Sequence, residues 1–393
     1  MASEQFIQIV QENIICWQQR LTQEGVEGVI AEGDNLLQAA AMGLYVPQLW
    51  ALTAVYILQA YPIAESLGTG EQWMPVLQTA VAAAPTTNDP LTIQLLNRLG
   101  RAYRLSQQPK KAVATHQQAL RQTEPAAPAW VVAEVHLNLA EDYQAQYDIA
   151  TAEHHAQQAH QLIANSPEQY TKIKAATQNI LGILYLQKGQ LALAESHLLA
   201  ALHLWPDQNN PVALARLTKN LALSLSLQGK HETSLFYYHN ALDKIRAIGN
   251  AVDQAEIENN LGVLYLQIGE SNRAEAIFNQ ALHKTLPATC RAPIRASITH
   301  NLGEVYLAQN RLFEAGLYIQ QAILDWQQLG DQLEMGNSIG VYGIILHRQG
   351  HYKEAIPKLE TALSSLSQLP NRGRVAELTQ EFSQELAQCR LAT

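Results

Sequence analysis

The groups in this 393-residue chain best suited to ligate a metal or act as a nucleophile are thirteen histidines and three cysteines. The densest set is His154, His155 and His160. A metal pair on one helix needs two rings four residues apart, so that both face the same way. Spacings of one, five and six turn these rings apart, and the expectation is solvated or half-packed histidines, with no metal and no cofactor. His197 and His203 read as surface residues. Cys16, Cys290 and Cys389 are odd in number and far apart, with no histidine or basic cluster assigned to any of them to activate a thiol. They form no disulfide framework and point to a reducing compartment, the cytoplasm. The sequence has no glycine-rich phosphate loop, no His-Glu-x-x-His and no Gly-x-Ser-x-Gly elbow. No catalytic residue is assigned, and no enzyme is expected.

The elements that would carry any site are helical. Ala, Leu and Gln, all good helix formers, make up well over a third of the chain. The apolar share of 47% and the thinly spread net charge of -9 exclude a disordered chain. The acidic balance argues against nucleic acid as partner, since phosphates demand clustered Lys and Arg. The imbalance is local: residues 1–93 hold nine Asp and Glu against Arg20 alone. That region reads either as a soluble cap or as a site for a basic partner. The opening residues, with Glu4, Glu12 and several Gln, do not resemble a signal peptide. Residues 35–64 carry no charge, but Gln38, Gln48, Thr53 and Gln59 interrupt them and Pro47 and Pro62 bracket the best window. A membrane span needs about 20 apolar residues in a row. The stretch therefore reads as helices buried in the protein, and membrane contact is expected only through a partner.

One frame recurs seven times. Its anchors are Gly100, Ala140, Gly182, Ala222, Gly262, Gly303 and Gly343, at spacings of 40, 42, 40, 40, 41 and 40 residues. Tyr or Leu follows three residues on (Tyr103, Tyr143, Tyr185, Leu225, Tyr265, Tyr306, Leu346). A small residue follows twelve on and an alanine nineteen on, as at Ala274 and Ala281. Four copies place Gly seven after the anchor (Gly189, Gly229, Gly269, Gly350), where a helix ends left-handed. This spells two helices per unit, meeting closely at the small residues. Proline-bearing runs at Pro85–Pro90, Pro125–Pro128, Pro167, Pro206–Pro211, Pro287–Pro293 and Pro370 separate the units.

The stretch Asn260-Leu261-Gly262 with Tyr265, Gly269, Ala274, Ala281 and Leu282, repeated as Asn301-Leu302-Gly303 with Tyr306, Ala315 and Ala322, resembles the tetratricopeptide repeat. That family's usual period is 34 residues; the lengthened unit looks like the kinesin-light-chain and LGN-type adaptors. The resemblance implies an all-α, right-handed superhelical α-solenoid of about nine antiparallel helix pairs plus a C-terminal capping helix. The expected division is 1–89, degenerate acidic helical pairs; 90–368, seven repeats; and 369–393, a capping helix and tail. Four N-terminal helices are expected at 6–21, 26–42, 49–60 and 71–83, and the cap at 372–389, with an apolar stripe of Val375, Leu378, Phe382 and Leu386.

The resemblance also implies that first helices line a concave groove, at positions three before, one after and four after each anchor. The partner-binding residues so assigned are Asn97, Arg101, Arg104, Glu141, Asn179, Ile183, Leu186, Lys219, Leu223, Asn259, Val263, Leu266 and Glu304. Asn179 and Asn259 suit a partner's backbone, because an amide both donates and accepts. The aliphatic members suit apolar side chains, although Leu186 and Leu266 read equally well as packing between units. Arg98, Arg101 and Arg104 form a basic patch suited to a carboxylate. A second asparagine series, Asn138, Asn220, Asn260 and Asn301, reads as structural. The family's carboxylate clamp for chaperone tails is not matched: Asn97 and Arg101 leave the first unit without Lys, and Ala176 and Ile180 stand where Lys and Arg are required. The functional expectation is a non-enzymatic scaffold or adaptor that binds a peptide or helix of another protein in assembly or regulation. The alternatives are a sensor for a small ligand or signalling peptide, and the regulatory partner of a separate catalytic or transcription chain.

Overall fold

The computed structural model describes residues 3–24, 28–66, 69–85, 89–123, 127–205, 211–247, 249–287, 293–369 and 373–392. Cys290, Pro125, Pro206 and Pro370 lie outside the described residues. The described residues form no strand and nineteen α-helices: α1 Glu4–Gln23, α2 Gly33–Leu44, α3 Trp50–Ser66, α4 Met74–Ala82, α5 Pro90–Leu105, α6 Pro109–Arg121, α7 Ala129–Ala145, α8 Ile149–Ile163, α9 Thr171–Gln187, α10 Leu191–Leu204, α11 Pro211–Leu227, α12 His231–Arg246, α13 Ala251–Gln267, α14 Ser271–Gln280, α15 Pro293–Ala308, α16 Leu312–Leu329, α17 Gln332–Arg348, α18 Tyr352–Ser367 and α19 Arg374–Leu391. They run as nine consecutive pairs and a cap, as expected. Proline opens α5, α6, α11 and α15 at N1, where its missing N–H costs nothing.

By contact the chain divides into two compact units, Met1–Pro206 and Asp207–Thr393. In the first, α5–α6, α7–α8 and α9–α10 are antiparallel hairpins, and α5, α7 and α9 also pack side by side. The second repeats this with α11–α12, α13–α14, α15–α16 and α17–α18, closed by α19. The first four helices pack less regularly. There Tyr56 and Trp50 send their polar tips to the carbonyls of Leu36 (3.0 Å) and Ala80 (2.8 Å), so that two large rings are buried without stranding a donor.

The small anchor residue has a specific cause. A Cβ at Gly262 would lie 2.6 Å from the ring of Phe278, and one at Gly182 would lie 2.5 Å from Leu198 Cγ. Ile319 and Leu359 crowd Gly303 and Gly343 in the same way, and His116 crowds Gly100. In each of these five hairpins the side chain sixteen residues after the anchor fills the space the glycine leaves. The sequence suggested close passage of a helix backbone; what approaches most closely is this side chain. The residue seven after the anchor is left-handed in all seven units. Glycine fills it four times, with φ from 71° to 83°, while Gln107, Tyr147 and Asn310 hold φ of 56–60°.

Two further devices fix the second unit. Helix α14 ends in a π turn, Ala281–Thr285. The fully buried Glu258 carboxylate accepts hydrogen bonds from Gln254 (2.9 Å), Gln280 (2.6 Å) and Thr285 (2.7 Å), pinning that turn to α13. Helix α19 buries Val375, Leu378, Phe382, Leu386 and Cys389, and Phe382 seats against Gly340, where a Cβ would lie 2.2 Å from the ring. Among the described residues no single helix is long and apolar enough to cross a membrane. The uncharged stretch forms α2 and α3, bent by 116° at the break between them.

Candidate binding surface

Within each unit the first helices of successive hairpins form one layer, and the assigned residues lie on it. At the positions one and four after the anchor, twelve of fourteen side chains are half-exposed; only Ser226 and Ile344 are buried. This row includes Arg101, Arg104, Glu141, Ile183 and Leu186 in the first unit, and Leu223, Val263, Leu266 and Glu304 in the second. The row exists because the core-facing side of each first helix is spent on its own hairpin and on the neighbouring first helix, leaving this stripe uncovered.

The third row, three before the anchor, behaves differently and corrects the sequence assignment. Asn97 and Asn259 are buried. Asn138 donates to Asn97 Oδ1 (3.0 Å), and Asn301 donates to Asn259 Oδ1 (2.8 Å). Neither amide faces outward; each accepts at Oδ1 and so ties one first helix to the next, while Asn97 Nδ2 is buried with no hydrogen-bond partner among the described residues. Asn138 and Asn301 are thus structural, as read. His300 at the same register bonds Ser338 (2.9 Å) and is buried. Asn179 is half-buried and has a partner within the protein. Lys219 is half-buried and donates to Glu256 (2.5 Å) on the next first helix.

The basic patch is also corrected. Each arginine is already held by a carboxylate of a neighbouring helix. Arg98 meets Glu134 (2.8 Å), and Arg101 grips Glu65 through two bonds (2.9 and 3.1 Å). Arg104 reaches Asp142 (2.7 Å), Glu141 and the Asn138 carbonyl (3.1 Å). Burial works against the Arg101 charge, but Glu65, Glu141 and Glu134 outweigh it and raise its pKa above the ordinary value. Beneath Arg104, the fully buried His116 lies with Nδ1 2.5 Å from Asp142 and donates from Nε2 to the Asn97 carbonyl (3.1 Å). The result is a cross-linked seam of α5, α6 and α7, not a free cationic surface.

The aliphatic residues divide. Leu223, Val263 and Leu266 are partly buried against the core of the second unit, so Leu266 packs between repeats while keeping an exposed edge. Ile183 and Leu186 are half-buried on α9. In the second unit Glu304 stands 3.6 Å from His300. Burial would raise its pKa, but His300 and Arg374 hold it below the usual carboxylate range. Glu381, nearby, moves the other way through burial and the charges of Glu304 and Glu385.

The histidines occupy a recurring position that spacing along one helix concealed. The residue fifteen after the anchor packs on the tyrosine three after it: His155 on Tyr143, His197 on Tyr185 and Tyr318 on Tyr306, with ring centroids 5.6, 5.2 and 5.2 Å apart. His197, expected at the surface, is half-buried and bonds Gln178 (2.6 Å). His136 of α7 meets His155 of α8, Nδ1 to Nδ1, at 2.9 Å. Burial, then the nearby His155 and His154, lowers the His136 pKa to about 4. Among the described residues no group of three or more His, Cys, Asp or Glu is arranged to hold a metal. Cys16 is exposed and Cys389 buried.

Family models of the tetratricopeptide repeat match residues 213–283 and 294–368, residues 259–328, and residues 95–127. Among solved structures, a Rap protein complexed with competence and sporulation factor is 13% identical. The alignment covers 90% of this chain and 98% of that one, with a TM-score of 0.58. The apo form of the quorum sensor NprR from B. thuringiensis is 14% identical, with 75% and 79% covered and a TM-score of 0.56. A signal-transduction ATPase with a tetratricopeptide repeat sensor, from Pyrococcus horikoshii, is 14% identical, with 86% and 55% covered and a TM-score of 0.56. At these identities the likeness is one of fold, and none of the three speaks for the kinesin-light-chain subgroup. No curated protein matches the chain by sequence.

Proposed function

The chain is a tetratricopeptide-repeat protein, and from that we propose that it is a non-enzymatic scaffold whose first-helix layer binds a peptide or helix of another protein. The observation that carries this reading is the half-exposed stripe one and four residues after each anchor, present in every repeat. It offers a partner apolar contacts at Ile183 and Leu186 in the first unit, and at Leu223, Val263 and Leu266 in the second. Polar and charged contacts come from Arg101, Arg104 and Glu141, and from Lys219 and Glu304. Arg101, Arg104, Glu141 and Lys219 are already paired across helices, so they fix the shape of the surface at low entropic cost to binding. The three cysteines, odd in number and far apart in the sequence, suit a reducing compartment such as the cytoplasm. Nucleic acid is not the intended partner on this reading, and membrane contact would be indirect.

The test is affinity purification from the native host with a tagged chain carrying alanine at Ile183, Leu223 and Val263, beside a Phe236→Ala control on the exposed face of α12. Loss of specific partners from the triple variant alone supports the reading. Unchanged recovery, with helicity preserved by circular dichroism, refutes it. A second reading, a sensor of a signalling peptide, draws on the Rap protein complexed with competence and sporulation factor and on the quorum sensor NprR. Stabilisation of the purified chain by host peptides smaller than ~3 kDa, with no protein partner recovered, would favour it.

A further inference from the structure

The α1–α2 hairpin carries apolar side chains on its outside that the core does not use. On α1, Phe6 is 40% and Ile9 55% exposed; on α2, Met42 is 42% exposed, and Tyr45, which caps its end, is 80% exposed. The helix needs only its opposite side, with Val10 and Ile14 fully buried, to hold its place. Phe6, Ile9, Asn13 and Cys16 follow one another at spacings of three, four and three, which aligns them in one stripe along α1; Asn13 and Cys16 are exposed too. The C-terminal turn of α2 lies against the middle of α1, where a Cβ at Gly43 would come within 2.7 Å of Ile14. Met42 and Tyr45 flank that contact.

The charge around this face has one sign. Glu4, Glu12 and Asp34 are exposed on the same two helices. Residues 1–93 contain no lysine, and their sole arginine is spent. Arg20 is bound to Glu24 (2.9 Å) and Glu32 (2.9 Å) and lies over the Trp17 ring. Exposed apolar side chains with carboxylates on the same two helices, and no unpaired basic side chain among the described residues of 1–93, call for an occupant that is apolar on one side and basic beside it. An anionic membrane would be repelled by Glu4 and Glu12. A second copy of the hairpin would bring like charges together.

We propose that the α1–α2 hairpin is a docking surface, separate from the first-helix stripe, for a basic amphipathic helix of a partner protein. Phe6, Ile9 and Tyr45 receive the apolar face of that helix, and Glu4, Glu12 and Asp34 receive its lysines and arginines. This gives the acidic region of residues 1–93 a role and does not depend on the first-helix stripe being a binding site.

The probe is a fluorescein-labelled 14-residue Leu/Lys amphipathic peptide, with the Leu/Glu analogue as its control, read by anisotropy on the full chain. The Leu/Lys peptide is expected to bind, more weakly as salt rises, and the Leu/Glu peptide is not. Phe6→Ser with Ile9→Ser should weaken binding at least tenfold, and Glu4→Gln with Glu12→Gln at least threefold. Ile183→Ala with Val263→Ala should leave it unchanged. Tyr45→Ser alone, at the most exposed of these positions, keeps the test open should the double variant fold poorly. The proposal is overturned if the Leu/Lys peptide does not bind, or if both peptides bind alike. It is equally overturned if the hairpin variants bind like the parent, if the parent binds phosphatidylserine vesicles through Phe6 and Ile9, or if sedimentation shows self-association that those substitutions abolish.

Discussion

Replacing His136 by glutamine should make the first unit less sensitive to acid. The His136 pKa is lowered from 6.5 to about 4, by burial first and then by His155 and His154. In the unfolded chain the ring takes a proton near pH 6.5; in the folded chain it does so only near pH 4. Between these values the unfolded state binds more protons, so stability is fully present above about pH 6.5 and is lost as pH falls toward 4. The difference of pKa corresponds to a ceiling of ~3 kcal/mol, which solvent screening of a half-buried ring reduces to about 2 kcal/mol. Tyr143 stacks on His155, and the His154 ring lies 5.5 Å from it. Glutamine can still donate from its amide to His155 Nδ1, so the α7–α8 contact survives while one titration disappears. The assay is the urea midpoint from pH 7.5 to pH 4 by tryptophan fluorescence, which reports chiefly on the first unit because five of the six tryptophans lie there. The parent should lose about 2 kcal/mol more than His136→Gln over that range. Parallel losses in the two proteins, or a larger loss in the variant, would refute the reasoning.

Two other substitutions probe the repeat itself. Gly262→Ala drives a methyl group to 2.6 Å from Phe278; overpacking of about 1–3 kcal/mol should exceed the ~1 kcal/mol gained in helix propensity, and calorimetry should show a lower melting temperature. Tyr147→Gly relieves a left-handed residue with φ of 60°, and because Tyr147 is exposed little packing is lost; a gain of up to about 1 kcal/mol in chemical denaturation is expected, and a loss would show that the tyrosine is held by contacts rather than tolerated.

The repeat was legible in the sequence because its period is a steric requirement written in single residues. Gly262, Gly303 and Gly343 must be small wherever a bulky side chain from the second helix fills the same space. Gly189, Gly229, Gly269 and Gly350 stand where the chain turns left-handed. Tyr147 and Asn310 hide that rule, since the surrounding turn imposes the same φ on residues that do not advertise it. The half-exposed stripe was equally readable, as it follows from helical spacing once the anchor is fixed. What one first helix presents to the next was not. Asn97 and Asn259 share a helical face with Arg101 and Val263, yet they are buried, because the neighbouring first helix covers their turn and sends Asn138 and Asn301 to meet them. Arg98, Arg101 and Arg104 spelled a cationic patch along one helix, but Glu134, Glu65 and Asp142, about 36 to 38 residues away, neutralise it. Likewise His155 gains its partner His136 only when α7 and α8 close into a hairpin. Local spacing determined the helices, their pairing and their exposed faces; burial and charge pairing were decided by contacts between helices, within a hairpin and from one repeat to the next, which no single helix encodes.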